Sequence, residues 1–247
     1  MHYYHIFACQ VFQRELSYLI AESENVISVT WLPQGLHETP AILKKRLEQA
    51  MKSFLEDVDS GRIKHMPEAF LFAYGMCSNG TVGLKAERAP LVLPKTDDCI
   101  GIFLGSQQRY LRLFNEKSGA YWLNSGWVET SFVPTEDQRR QRKEQYVKKY
   151  GDDNANYLME QESLFIKNYS RCGYINSDAC ENDRYRSVAK SLAKEWSLEF
   201  FEEQGDASLL KKLVNGNWDE EHFLVCPKGY QTAASYDKNL ICSKLIK

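Results

Sequence analysis

Ala69-Phe70-Leu71-Phe72-Ala73-Tyr74 runs directly into Gly75-Met76-Cys77-Ser78-Asn79-Gly80-Thr81. An apolar run with no polar alternation reads as a strand covered on both faces, the mark of a parallel sheet. A glycine-bearing loop after such a strand lies at the carboxyl edge, where open α/β sheets bind their ligands. Outward from this stretch, residues 3–8, 26–32 and 90–94 form three further strand-like runs. Each of the four runs is followed by a residue that can ligate a metal: Cys9, His37, Cys77 and Cys99. If the strands are parallel neighbours, these four side chains share one edge of one sheet.

Between the runs the period changes from strand to helix. Val11, Phe12, Leu16, Leu19 and Ile20 fall at helical spacing over residues 10–22. Thr39 and Pro40 suit an N-cap and first helical position, and Ile42, Leu43, Leu47, Ala50, Met51, Phe54 and Leu55 make the apolar face that follows. Ser60-Gly61 stops that helix. This alternation predicts an α/β protein with a mainly parallel sheet and flanking helices. A change of texture near residue 130 suggests two Rossmann-like lobes with a cleft between them, 1–130 carrying the Cys/His residues and 131–247 forming a smaller α/β lobe. In the second half, residues 120–128 read as a strand with a turn at Asn124-Ser125-Gly126. Residues 135–149 read as a solvated helix continuing through 154–165, with Tyr150-Gly151-Asp152-Asp153-Asn154 as a break between helices, residues 171–175 and 198–202 as strands, and 222–226 as a final strand.

The chain has 247 residues, 43% hydrophobic and 26% charged, with a net charge of −2. That is ordinary for a globular protein and gives no basic excess to attract nucleic acid or an anionic membrane. No apolar run reaches the roughly 20 residues of a membrane span, and the opening lacks a signal-peptide pattern. The expectation is a cytoplasmic protein, so its seven cysteines read as free thiols or ligands, not a disulfide framework.

Three thiolates and an imidazole complete a tetrahedral zinc shell, and three thiolates alone hold zinc or a [4Fe–4S] cluster with one open position. The spacing lacks the short paired cysteines of common zinc knuckles, and cysteine also serves as an apolar core filler. Cys77 alone could instead be a reactive thiol. His37 reads as a fourth ligand, a general base or a loop histidine. Asp98, beside Asp97, reads as an acid–base or ligand-orienting carboxylate, or as the cap of a helix starting near Ile100. Gly75, Ser78, Asn79, Gly80 and Thr81 form a backbone wall with polar contacts, but match no phosphate-binding fingerprint. Trp122 and Asn124 lie in an aromatic and amide-bearing turn that could cover a planar cofactor or pack a core.

The segments Ala8-Cys9-Gln10-Val11-Phe12-Gln13-Arg14-Glu15-Leu16, Leu32-Pro33-Gln34-Gly35-Leu36-His37-Glu38-Thr39-Pro40, Tyr74-Gly75-Met76-Cys77-Ser78-Asn79-Gly80 and Asp97-Asp98-Cys99-Ile100 occur together. Residues 121–127, Gly216-Asn217-Trp218-Asp219 and Phe223-Leu224-Val225 accompany them. In this combination the chain resembles an uncharacterised domain-of-unknown-function family of bacteria and archaea, whose members often occur near corrinoid-dependent methyltransferases. The resemblance implies an association with one-carbon metabolism and carries no catalytic residue with it. The resulting expectation is a metal or cluster protein, its site built from three cysteines and a histidine, acting in corrinoid-linked methyl transfer on a small molecule or a corrinoid protein. The alternative is a non-enzymatic protein that holds a corrinoid or small metabolite for a methyltransferase.

Overall fold

The computed structural model describes residues 1–180, 182–237 and 239–246. Contacts divide the chain into two compact units, 1–110 with 206–247 and 111–205. The division differs from the one read at residue 130, because the C-terminal segment returns to the first unit.

The first unit is built on β1 (Tyr3–Cys9), β2 (Val26–Leu32), β3 (Ala69–Ala73) and β4 (Leu91–Pro94), parallel and ordered β2-β1-β3-β4. Its helices are α1 (Gln13–Glu22), α2 (Pro40–Asp59), α3 (Cys99–Phe103) and the start of α4 (Gln107–Glu116), which carries the chain into the second unit. β3 is buried at every position, as its unbroken apolar sequence requires. One sheet face is aromatic: Phe7 and Phe70 pack with Phe54 of α2 at centroid distances of 6.5 and 5.5 Å. Leu43, Leu47, Met51 and Phe54 make the buried stripe of α2, at helical period, while Ile42 at the same end is exposed. Thr39 stands at the N-cap position of α2, but its side chain makes no capping bond; Pro40 supplies the start.

The second unit holds β5 (Ala120–Leu123), β6 (Arg171–Asn176) and β7 (Glu199–Gln204), all parallel in that order. Leu123, Cys172, Tyr174, Ala189 and Leu192 form its core with Val133. Around them lie α5 (Ser125–Thr130), α6 (Glu136–Tyr150), α7 (Asp152–Leu164) and α8 (Asp183–Glu195). The charged stretch forms two helices, and the break read over residues 150–154 falls at Gly151, whose φ of +81° lies outside the helical region. Asn124-Ser125-Gly126, read as a turn within a strand, caps and begins α5.

After α9 (Ser208–Asn215) the chain adds β8 (Phe223–Cys226) to the first sheet. β8 pairs with β4 in the antiparallel sense, Val92 opposite Val225. β9 (Tyr230–Ala234) and β10 (Ile241–Leu245) then form an antiparallel pair that the sequence pattern does not show.

His5 lies in the aromatic face, 3% exposed, with its ring centroid 4.0 Å from that of Phe54. Its Nδ1 and Nε2 meet the hydroxyls of Ser28 and Thr30 at 2.7 and 2.9 Å. A neutral imidazole, one donor and one acceptor, suits two hydroxyls of adjustable direction. Burial pushes its pKa down to about 4. The folded state therefore resists protonation that the unfolded chain accepts near pH 6.5. The stability this confers is complete above that pH and is lost as pH falls towards 4. Between about pH 7 and about pH 4.5 the loss traceable to His5 is about 2 kcal/mol. Urea unfolding at both pH values should show that excess loss in the wild type relative to His5→Gln; equal losses would contradict this assignment.

Candidate functional site

The strand order fixes where a crevice can open. β1 pairs with β2 on one side and β3 on the other, so the chain reverses its direction of travel across the sheet at β1 and β3. At such a switch point the connections leave in opposite directions, and the carboxyl ends of the two strands face an open crevice. Cys9 is the last residue of β1, and Tyr74, Gly75 and Cys77 follow β3. Cys99, the first residue of α3, arrives from β4 on the same side.

The loops after β3 and β4 stay joined beyond the strands. Met76 N–H donates to the Thr96 carbonyl and Cys77 N–H to the Asp97 carbonyl, both at 2.8 Å. Gly75 is needed at the seam, since a Cβ there would lie 2.7 Å from the Asp98 Cα. Cys77, Ser78 and Asn79 then take φ values of 47°, 55° and 69°. Three successive L-residues in the left-handed region cost roughly 1–2 kcal/mol each, so the surroundings must enforce the turn. Thr81, fully buried, turns its hydroxyl back to the carbonyls of Gly75 and Met76. The Thr232 hydroxyl donates to the Thr81 carbonyl at 2.7 Å, so β9 braces the loop from behind. Gly80 lies against Leu43 of α2, while the Ser78 and Asn79 side chains face outward.

This architecture gathers three sulfurs. The Cys77 and Cys99 thiols hydrogen-bond to each other, and Cys9 is close enough to Cys99 to raise its own pKa. Burial, then the neighbouring Cys99, pushes the Cys9 thiol up to about 12. The Cys77 hydrogen bond, then burial, drives Cys99 well above the ordinary thiol value. Two backbone amides oppose these shifts: Val11 N–H donates to Cys9 and Gly75 N–H to Cys99. Tyr74 completes the group, being 2% exposed and close enough to feel all three cysteines. Its hydroxyl is buried without a hydrogen-bond partner among the described residues. Tyr74 escaped the sequence reading because it sits inside an apolar run, where a tyrosine counts as core.

Asp98 caps α3, its Oδ1 accepting from the N–H groups of Ile100 at 2.8 Å and Gly101 at 3.3 Å. Burial raises its pKa against those two donors. Asp97 exchanges hydrogen bonds with the Gln107 side chain. His37 occupies a single turn, Leu36–Glu38, after β2, on the far side of β1 from β3. No hydrogen bond or ion pair joins it to the three cysteines among the described residues. Nor, among the described residues, is any group of three or more His, Cys, Asp or Glu side chains arranged to hold a metal ion. The three cysteines come from neighbouring strand ends, but as they stand they do not form a closed shell.

Trp122 and Asn124 belong to the second unit. The Trp122 ring meets Phe201 edge-on at 5.2 Å and lies over Gly173, where a Cβ would stand 2.8 Å from it. This is core packing. Asn124 caps α5 through an Oδ1 that accepts from Trp127 N–H, while its Nδ2 and the Ser125 hydroxyl are buried without partners among the described residues. Its backbone, at φ −147° and ψ −175°, repeats that of Asp98 at −149° and −174°. Of the other cysteines, Cys172 is buried in the second core, and Cys226 is pushed up to about 11 by burial and by nearby Cys242.

A sequence model of the family described as "Protein of unknown function (DUF1638)" matches residues 31–214, and the chain belongs to that family. The match includes Cys77 and Cys99, and Cys9 precedes it. No curated protein and no solved structure matches the chain. No helix of the described residues is long and apolar enough to cross a membrane.

A pKa near 12 leaves Cys9 with about a thousandfold less thiolate than an ordinary exposed thiol at the same pH. In metal-free native protein at about pH 8, iodoacetamide should label the part-exposed Cys180 and Cys242 and leave Cys9 unmodified, as read by peptide mass spectrometry. Labelling of Cys9 at the rate of the part-exposed thiols would contradict the assigned environment.

Proposed function

We propose that this member of the DUF1638 family holds a thiophilic metal ion or an iron–sulfur cluster at the carboxyl ends of β1 and β3. Cys9, Cys77 and Cys99 are the ligands. The observation that carries this reading is the contradiction built around the sulfurs. Burial favours neutral thiols, yet the amides of Val11 and Gly75 point at Cys9 and Cys99, where they favour anionic sulfur. A bound cation resolves the conflict, because it deprotonates its thiol ligands and supplies the charge that the apolar crevice lacks. Each sulfur swings on one side-chain torsion, so the three can turn from each other towards a common ion without moving the backbone.

Three thiolates leave one position open for zinc or a [4Fe–4S] cluster. Zinc there would act as a Lewis acid on a bound nucleophile, and a cluster would transfer single electrons. Asp98 acts by holding the start of α3, and so the place of Cys99, through the amides of Ile100 and Gly101. His37 enters the scheme as a fourth ligand or base only if its turn moves past the end of β1. A setting in corrinoid-linked methyl transfer, with a small molecule or a corrinoid protein as partner, rests on the family resemblance. Non-catalytic holding of a corrinoid or metabolite is the alternative within that setting. One observation favours a second chemistry at the same place: the Cys77–Cys99 hydrogen bond also suits a dithiol that a disulfide-bearing reagent oxidises to a disulfide.

Metal and acid-labile sulfide analysis of protein purified without oxygen tests the reading. Wild-type protein should carry stoichiometric zinc, or iron with sulfide. Cys9→Ser, Cys77→Ser and Cys99→Ser should each lose most of it, while Cys172→Ser keeps it. Metal-free wild type that forms a Cys77–Cys99 disulfide on mild oxidation would replace the metal centre with the dithiol.

A further inference from the structure

The two larger sheets have four edge strands, and three of them are guarded. β8 and β5 have four residues each, and β7 carries Glu199, Glu202 and Glu203. Short length and charge are means by which proteins keep a sheet edge from pairing with another chain. β2 has neither. Its seven residues, Val26-Ile27-Ser28-Val29-Thr30-Trp31-Leu32, include no charge, proline or glycine. Most are β-branched or aromatic, the types that favour strand pairing. Along its inner side β2 pairs with β1 residue for residue, without a bulge. Among the described residues, no backbone hydrogen bond reaches its outer side. The N–H and C=O groups on that side are a template for one more strand.

We infer that β2 pairs antiparallel with β2 of a second copy of this chain, across a two-fold axis at Val29, joining two five-stranded sheets into one. A two-fold contact sets the strand against itself, so its sequence must suit its own reverse. That of β2 does. Val29 falls opposite Val29, Ile27 opposite Trp31, Ser28 opposite Thr30 and Val26 opposite Leu32. Ser28 and Thr30 reach His5, on the side of the sheet where Phe54 of α2 packs. Alternation puts Ile27, Val29 and Trp31 on the other face. There the pairing sets an aromatic ring against a β-branched residue at each end, with the two valines between them, a favourable set of cross-strand neighbours. The flanks agree. Glu24 falls opposite the neutral Gln34, so no like charges meet, and Pro33 ends the ladder just after Leu32. A strand of another protein would need no such self-complementarity, and this selects a second copy as the partner.

Sedimentation velocity on the full-length protein at about 50 µM, where a micromolar Kd leaves mostly dimer, tests the pairing. Wild type should sediment as a dimer. Val29→Lys and Val29→Glu each place like charges at the axis and should weaken the dimer roughly a hundredfold, leaving monomers. Mixed in equal amounts, the two variants should form a dimer again, because lysine then faces glutamate. Loss of folding would not be repaired in this way. Val29→Cys, a gentler change at the same position, supplies a second readout. Mild oxidation should link its two copies by a disulfide at residue 29, identified by peptide mass spectrometry. A monomeric wild type would overturn the inference and leave the edge to a strand of another protein. A dimer that both charged variants retain would put the interface elsewhere and overturn it equally. So would absence of the residue-29 link in Val29→Cys.

Discussion

The close approach of Gly75 to the backbone of Asp98 is the constraint on which the site depends. It joins the loop after β3 to the loop after β4, so Cys77 and Cys99 meet although they leave different strands. Any side chain at residue 75 would separate the seam by the width of a methyl group. The rest of the arrangement follows from that contact. The chain must turn sharply after Met76, and the left-handed run from Cys77 to Asn79 is that turn. Thr81 in front and Thr232 behind hold it in a conformation that three non-glycine residues would otherwise leave. The strain is concentrated beside two buried thiols, Cys9 and Cys77, and the half-buried Cys99, at the carboxyl ends of β1 and β3.

Electrostatics sets Cys9 and Cys99 apart from a reactive cysteine. A reactive cysteine needs a cation, a helix N-terminus or exposure to lower its pKa. Cys9 and Cys99 have the reverse, burial and another sulfur, with a single amide donor apiece. Such thiols are weak nucleophiles as they stand, and the proposed metal would take their protons by compensating the charge. The same surroundings keep Tyr74 protonated, a hydrogen-bond donor beside three sulfurs.

Much of the first unit was legible because its strands are short, apolar and bounded by loops. The run ending at Tyr74, the helix begun at Pro40 and the placing of Cys9, Cys77 and Cys99 at strand ends all lie where local pattern decides. Strand order is not a local property, and so the place of His37 was not legible: β2 lies outside β1, and the turn that follows it leaves on the other side. The antiparallel entry of β8, and the β9–β10 pair, depend on partners brought together by the whole chain. Tyr230-Gln231-Thr232-Ala233-Ala234 carries no strong strand signal of its own. The left-handed turn is hidden for another reason. Only its last residue, Asn79, belongs to a type that tolerates that conformation, and tertiary bonds impose it on Cys77 and Ser78. Asn124 shows the converse, since the residues that suggested a turn are those that cap a helix.

X-ray absorption at the metal edge, on full-length protein purified without oxygen, tests the central claim most directly, because it counts the sulfurs around the ion. The account predicts three protein sulfurs at about 2.3 Å if the metal is zinc. For iron it predicts sulfur-only first neighbours together with iron–iron scattering from a cluster. In either case Cys9→Ser should remove sulfur scattering or abolish metal binding. A metal surrounded by nitrogen and oxygen, or a sulfur count unchanged in Cys9→Ser, would contradict a centre built from these three thiols.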